Sequence, residues 1–175
     1  VPRWEVPPKT LLRDIFSGLF SLVYVAFLAG FTVLLVREPS GEWWVFTLIL
    51  VVVSVDVGAY AAGITLGKHK MTPRISPNKT WEGFAGAAVA ACVTATLMTT
   101  LVLGQPWWLG IIMGVLLLLS ATGGDLTESL IKRNLGVKDM SSWIPGHGGF
   151  LDRLDSILPS AAVVFGIALA AGVIA

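Results

Sequence analysis

Charge is scarce in this sequence. Charged residues make up 13% of the 175-residue chain, where soluble domains carry about 25%. Apolar residues make up 55%, and the mean hydropathy is +0.80. A soluble domain of this size has too little interior to hide that much apolar surface, so a water-soluble class is excluded. Cysteine is nearly absent. Cys92 is alone, so an internal disulfide framework is excluded, and its apolar surroundings predict a small buried residue. A zinc site is disfavoured because His147 has no cysteine or second histidine at ligand spacing. A phosphate-binding P-loop is missing too, since "LGKHK" breaks the required pattern. No Ser–His–Asp logic is visible. The chain begins at Val1 without a methionine or signal-peptide pattern, which reads as a fragment or a processed chain.

What the sequence does have is long hydrophobic runs. Crossing a bilayer takes roughly 20 apolar residues in a helix. Five segments meet that need: Ile15–Val36, Trp43–Leu66, Gly83–Leu103, Trp107–Gly124 and Leu154–Ala175. The predicted fold is all-α, a polytopic integral membrane protein with one catalytic domain over residues 1–175. "GQP" makes a tight hairpin of spans three and four. Trp43, Trp44, Trp107 and Trp108 stand at span starts, where interfacial tryptophans belong.

The few cations are unevenly placed. Of twelve Lys and Arg residues, only Arg37 falls on one side of this five-span arrangement. Arg3, Lys9, Arg13, Lys68, Lys70, Arg74, Lys79, Lys132, Arg133, Lys138 and Arg153 fall on the other. The positive-inside rule makes that side cytoplasmic and puts the C-terminus outside.

Ionisable chemistry gathers on the same side, in four clusters. Asp56 lies inside span two, where a carboxylate costs a few kcal/mol unless paired or hydrated. Asp56, Tyr60, Gly63 and Gly67 share one helix face, fit to line a polar cavity and to pack closely on a neighbour. "SPNKT" places Ser76, Asn78, Lys79 and Thr80 just before span three, with Glu82 in its first turn. Hydroxyl, amide and ammonium donors at a helix start suit a phosphate. His69 reads as a solvated loop residue. Asp125, Glu128, Ser129 and Lys132 share a face of the helix that continues out of span four. The last cluster is "SSWIPGHGGFLDRLDS". Its Pro145 and glycines allow tight turns, and Asp152 and Asp155 open span five on one face. Asp125, Asp152 and Asp155 offer hard oxygen ligands of the kind Mg²⁺ takes. His147 contacts phosphate or shapes the loop. Carboxylates beside cations at a membrane face fit phosphoryl or nucleotidyl transfer, which needs charge neutralisation and in-line positioning more than a nucleophilic side chain.

The run "SLIKRNLGVKDMSSWIPGHGGFLDRLDS" resembles the signature of the CDP-diacylglycerol synthases, the phosphatidate cytidylyltransferases. Its elements are Ser129, Lys132-Arg133, Lys138-Asp139, Pro145 to Gly149, Asp152-Arg153 and Asp155-Ser156. "DVGAY" and "SPNKTWEG" are similar to the family's earlier blocks. Family members carry further N-terminal spans, so the chain looks like the C-terminal catalytic part. The resemblance implies the reaction of CTP with phosphatidic acid to give CDP-diacylglycerol and pyrophosphate in phospholipid synthesis, with Mg²⁺ as cofactor. It implies metal binding by Asp125 and Asp152 with Asp155 close by, and phosphate neutralisation by Lys79, Lys132 and Arg133. Arg153 joins the catalytic set. Asp56, Ser76, Asn78, Lys79, Thr80, Glu82, Ser129, Lys138, Asp139, His147, Gly148 and Gly149 are expected around the substrates. Expected partners are CTP, phosphatidic acid and the lipid bilayer, with a homodimer left open and nucleic acid not expected. The expected location is a bacterial inner membrane with a cytoplasmic active site. Two rivals stand beside this reading: a CTP-dependent polyprenol or phytol kinase, and a cation transporter relaying through intramembrane aspartates.

Overall fold

The structure is a computed structural model that describes residues 8–72, 76–135 and 156–174. Seven elements follow in chain order: α1 (Pro8–Arg37), α2 (Gly41–Leu66), β1 (Lys70–Thr72), β2 (Ser76–Thr80), α3 (Trp81–Leu101), α4 (Trp107–Leu135) and α5 (Ile157–Ala170). The helical class read from the hydrophobic runs holds. The one addition among the described residues is a two-stranded antiparallel ribbon, β1 with β2, that pairs Lys70 with Thr80 and Thr72 with Ser76. "SPNKT", read as a turn-forming run, is a strand.

Local chemistry explains where the helices stop and start. The turn between α1 and α2 puts Ser40 in the left-handed region at φ 62°. The next position must be glycine, since a Cβ on Gly41 would fall 1.8 Å from the Leu35 carbonyl oxygen. Gly104 turns the chain between α3 and α4 at φ 63°, where a side chain is costly. Thr80 caps α3: its Oγ1 accepts from the Gly83 N–H at 3.1 Å. Such a cap contributes about 1 kcal/mol.

Three helices are long and apolar enough to cross a membrane: Gly41–Leu66, Trp81–Leu101 and Trp107–Leu130. Two further stretches, Tyr24–Arg37 and Ile157–Ala170, are apolar helices of shorter length. The expected first and last spans therefore contain helix, but the described apolar stretches are shorter than a span, and α5 covers 14 residues, about 21 Å at 1.5 Å per residue. Trp43, Trp107 and Trp108 are exposed as an interfacial belt requires, but Trp44 is 3% exposed and sits in the core. It follows Trp43 by one residue, about 100° around the helix, and so faces inward.

The core lies between α2, α3, α4 and α5, around Leu48, Val51, Met113, Leu117 and Val164. Small residues let the helices approach closely, the usual means of holding helices together in lipid. A Cβ on Gly58 would lie 2.7 Å from the Ala90 Cβ, and one on Gly86 would lie 2.3 Å from the Ala62 Cβ. Across the α3–α4 hairpin, Gly114 stands against the backbone of Cys92. Cys92 is half-buried, free, and surrounded by helix contacts.

Candidate functional site

At the end of the bundle where the ribbon sits, a cavity of about 230 Å³ opens between α2, α3, α4 and β2. Its polar wall is Asp56 and Tyr60 from α2, Asn78, Lys79 and Thr80 from β2, and Thr122 and Asp125 from α4. Val55, Ala59, Phe84, Ala87 and Ala121 form an apolar wall. The site is thus polar at one side and greasy at the other.

Each polar residue arrives by a different route. Asp56 and Tyr60 are one helical turn apart, on the face expected from their spacing. Further along that face Gly63 and Gly67 leave room for Thr80: a Cβ on Gly67 would stand 3.0 Å from the Thr80 Oγ1. Thr80 is 5% exposed, clamped between α2 and the first turn of α3. That packing fixes the end of β2 and brings Lys79 to the cavity. There the Lys79 Nζ pairs with the Asp125 Oδ2 at 2.5 Å. The Asp125 side chain is 39% exposed and that of Lys79 23%. Partial burial makes such a pair stronger than a surface one. Ser129, one turn beyond on α4, donates to the Asp125 Oδ1 at 3.4 Å. Asp125 is therefore oriented through both oxygens.

The structure brings Asp56, Asn78, Lys79, Thr80 and Asp125 together around one space, with Ser129 directly behind Asp125. Ser76 and Glu82 are not in the cavity wall. Ser76 pairs across the ribbon with Thr72, and both Glu82 oxygens are engaged by His69. Glu128, on the shared α4 face, is 6% exposed and packs inward. His69 is solvent-exposed as expected, but it is tied to Glu82 by its ring Nδ1 at 2.6 Å. Lys132 and Arg133 lie in the final turns of α4, and their side chains fall outside the description. Lys138, Asp139, His147, Gly148, Gly149, Asp152, Arg153 and Asp155 lie outside the described residues. Sequence reasoning missed Thr122 and Phe84 as wall residues. Thr122 lies one turn before Asp125, so helical spacing could have found it. Nothing local marks Phe84.

The donor set can be tested against a metal. Among the described residues, no three His, Cys, Asp or Glu side chains gather as a cage. Mg²⁺ needs no such cage, because it keeps several waters and takes one or two carboxylates plus substrate phosphates. Asp56 and Asp125 on one cavity meet that requirement, so the residues present fit Mg²⁺.

Comparison with known proteins agrees in kind. The family model described as "Cytidylyltransferase family" matches residues 6–170. A phosphatidate cytidylyltransferase of Mycobacterium bovis is 46% identical over 159 residues, covering 90% of this chain and 52% of that protein. The Mycobacterium leprae protein of the same name is 46% identical over 159 residues, covering 91% and 51%. That of Brucella suis is 42% identical over 165 residues, covering 94% and 59%. The chain spans about half the length of these curated relatives.

Proposed function

Since the chain belongs to the cytidylyltransferase family, we propose that it forms the catalytic part of a phosphatidate cytidylyltransferase. The reaction joins CTP and phosphatidic acid into CDP-diacylglycerol and releases pyrophosphate. A phosphate oxygen of the lipid attacks the α-phosphorus of CTP, and the bond to the β-phosphate breaks. That oxygen is already ionised near neutral pH, so no strong general base is required. The chain's task is to hold two anions in line and neutralise charge.

The observation that carries this reading is the meeting of Asp56, Lys79 and Asp125, from three separate elements, on one half-polar cavity. Lys79 neutralises a phosphate of the nucleotide, with Asn78 and Thr80 as neighbouring donors. The apolar wall of Val55, Ala59, Phe84 and Ala87 suits a lipid whose tails stay in the bilayer. Mg²⁺, when bound, supplies further neutralisation of phosphate charge. Asp125 would hold it, with Asp56 at the same cavity and Asp152 and Asp155 from the glycine-rich signature. Lys132, Arg133 and Arg153 add positive charge, and Lys138, Asp139, His147, Gly148 and Gly149 complete the signature around the substrates. The site faces the cytoplasm of a bacterial inner membrane, as the eleven-to-one split of cations supports.

The test is direct. Full-length protein is given labelled CTP, phosphatidic acid and Mg²⁺, and the lipid fraction is analysed. A CDP-lipid is expected. A phosphorylated polyprenol, or ion flux without CTP turnover, would replace the proposal with one of its rivals.

A further inference from the structure

Glu82 occupies the second position of α3, where an acidic residue is ordinarily explained by the helix dipole. Its geometry asks for more. In a capping box the acidic residue stands three after the cap and reaches back to the cap's own N–H. Here that position is Gly83, whose N–H is bound by Thr80. Glu82 instead reaches back thirteen residues. Its Oε1 lies 2.6 Å from the His69 ring Nδ1, and its Oε2 accepts from the His69 main-chain N–H at 3.2 Å. A third bond closes the loop, from the Trp81 N–H to the His69 carbonyl oxygen at 3.0 Å. His69 directly precedes β1, and Lys70 pairs with Thr80. The two ends of the ribbon are thereby locked to the first turn of α3, beside the residue that lines the cavity and pairs with Asp125.

We propose that Glu82 is a positioning residue for nucleotide binding: by gripping His69 it fixes the ribbon on α3 and so sets Lys79 at the cavity. The role rests on the cytidylyltransferase reading for the identity of the nucleotide. Glu82 has no place in the cavity wall, so it acts through Lys79 and not by touching substrate. A bidentate carboxylate grip on a main-chain N–H and a ring N–H suits this task. The main-chain bond fixes where the strand begins, and the ring bond fixes its rotation. His69 donates through Nδ1, which the neutral Nδ1–H form and the imidazolium both allow.

The experiment is a double-mutant cycle on full-length protein in mixed micelles with phosphatidic acid. The variants are Glu82→Ala, Glu82→Gln, Lys79→Ala and the double variant Lys79→Ala/Glu82→Ala, read as KM for CTP, KM for phosphatidic acid and kcat. Glu82→Ala is expected to raise the KM for CTP roughly tenfold, the scale of a lost charge-assisted hydrogen bond, and to leave the KM for the lipid unchanged. Glu82→Gln keeps one acceptor and is expected to recover part of the loss. In the Lys79→Ala background, Glu82→Ala should add nothing. Multiplying effects in the double variant overturn the proposal, because Glu82 would then act independently of Lys79. So does a fall in folded yield with unchanged kinetics in the folded fraction. The grip itself is read without turnover. The ¹⁵N resonances of the His69 ring, assigned by their loss in His69→Ala, should shift in Glu82→Ala. Resonances that do not move overturn the grip. Resonances that move in Glu82→Ala, with a parent protein that makes no CDP-lipid, would sink the enzymatic reading alone, and CTP affinity by titration then replaces KM as the readout.

Discussion

Lys79 and Asp125 set the chemistry at the residue scale. Their contact at 2.5 Å neutralises a carboxylate at the edge of a low-dielectric region, where an uncompensated charge is expensive. Under the proposed reaction, the same contact holds an ammonium ready for an arriving phosphate. Lys79→Ala is expected to raise the KM for CTP or depress kcat while the protein still inserts. Turnover equal to the parent at every CTP concentration would reduce Lys79 to a topology determinant. Asp125→Asn keeps the shape of the side chain and removes its charge. It should lower kcat on the order of a hundredfold, the scale on which lost charge stabilisation acts in an active site, and excess Mg²⁺ should not restore it. A rate recovered by metal would show that Asp125 only tunes affinity.

Among the elements, the α2–α3 pair carries the site. Asp56 comes from one helix, Thr80 and Gly83 from the head of the other, and Gly58 and Gly86 let the two backbones touch. A large side chain there must push the helices apart. Gly86→Leu is expected to cost about 1–3 kcal/mol of stability, as overpacking does, and to lower the unfolding temperature in detergent. Catalysis should fall further than stability does, because the separation also parts Asp56 from Lys79. Gly30 gives the contrast: nothing lies within 4 Å of its added Cβ. Gly30→Ala should be neutral or stabilise by up to about 1 kcal/mol through helix propensity. Equal losses from both substitutions would mean that helix packing does not position the cavity.

For the whole molecule, orientation follows from charge. Arg37 ends α1 just before α2 begins, whereas Lys68, Lys70 and Lys79 follow α2, so the two ends of one apolar helix carry unequal positive charge. In a Cys92→Ala background, Lys68→Cys should react with an impermeant thiol reagent only from the cytoplasmic side, and Pro39→Cys only from the opposite side. Labelling of both from one side would remove α2 as a span. The exposed Leu, Ile and Val side chains along α2, α3 and α4 would be a liability in water and are the expected lipid face in a bilayer.

Composition alone determined that this chain belongs in a membrane, because apolar excess is a bulk property that needs no coordinates. The three central helices were legible from run length, Asp56 from its cost inside an apolar helix, and Asp125 from the face it shares with Glu128, Ser129 and Lys132. The resemblance carried by "DVGAY", "SPNKTWEG" and the long C-terminal signature pointed to the family that the comparisons then showed. Other features were not legible. "SPNKT" became a strand because Lys70 and Thr72 stand opposite Thr80 and Ser76, a pairing that turn propensity does not register. Trp44 went to the core although its neighbour Trp43 faces out, since the helix rotates about 100° per residue. The meeting of Asp56 with Lys79 and Asp125, and of His69 with Glu82, was decided only by tertiary structure. Helix periodicity says which residues share a face. Which faces meet is set by the close approach that Gly58, Gly63, Gly67, Gly83 and Gly86 permit, and that depends on two helices at once.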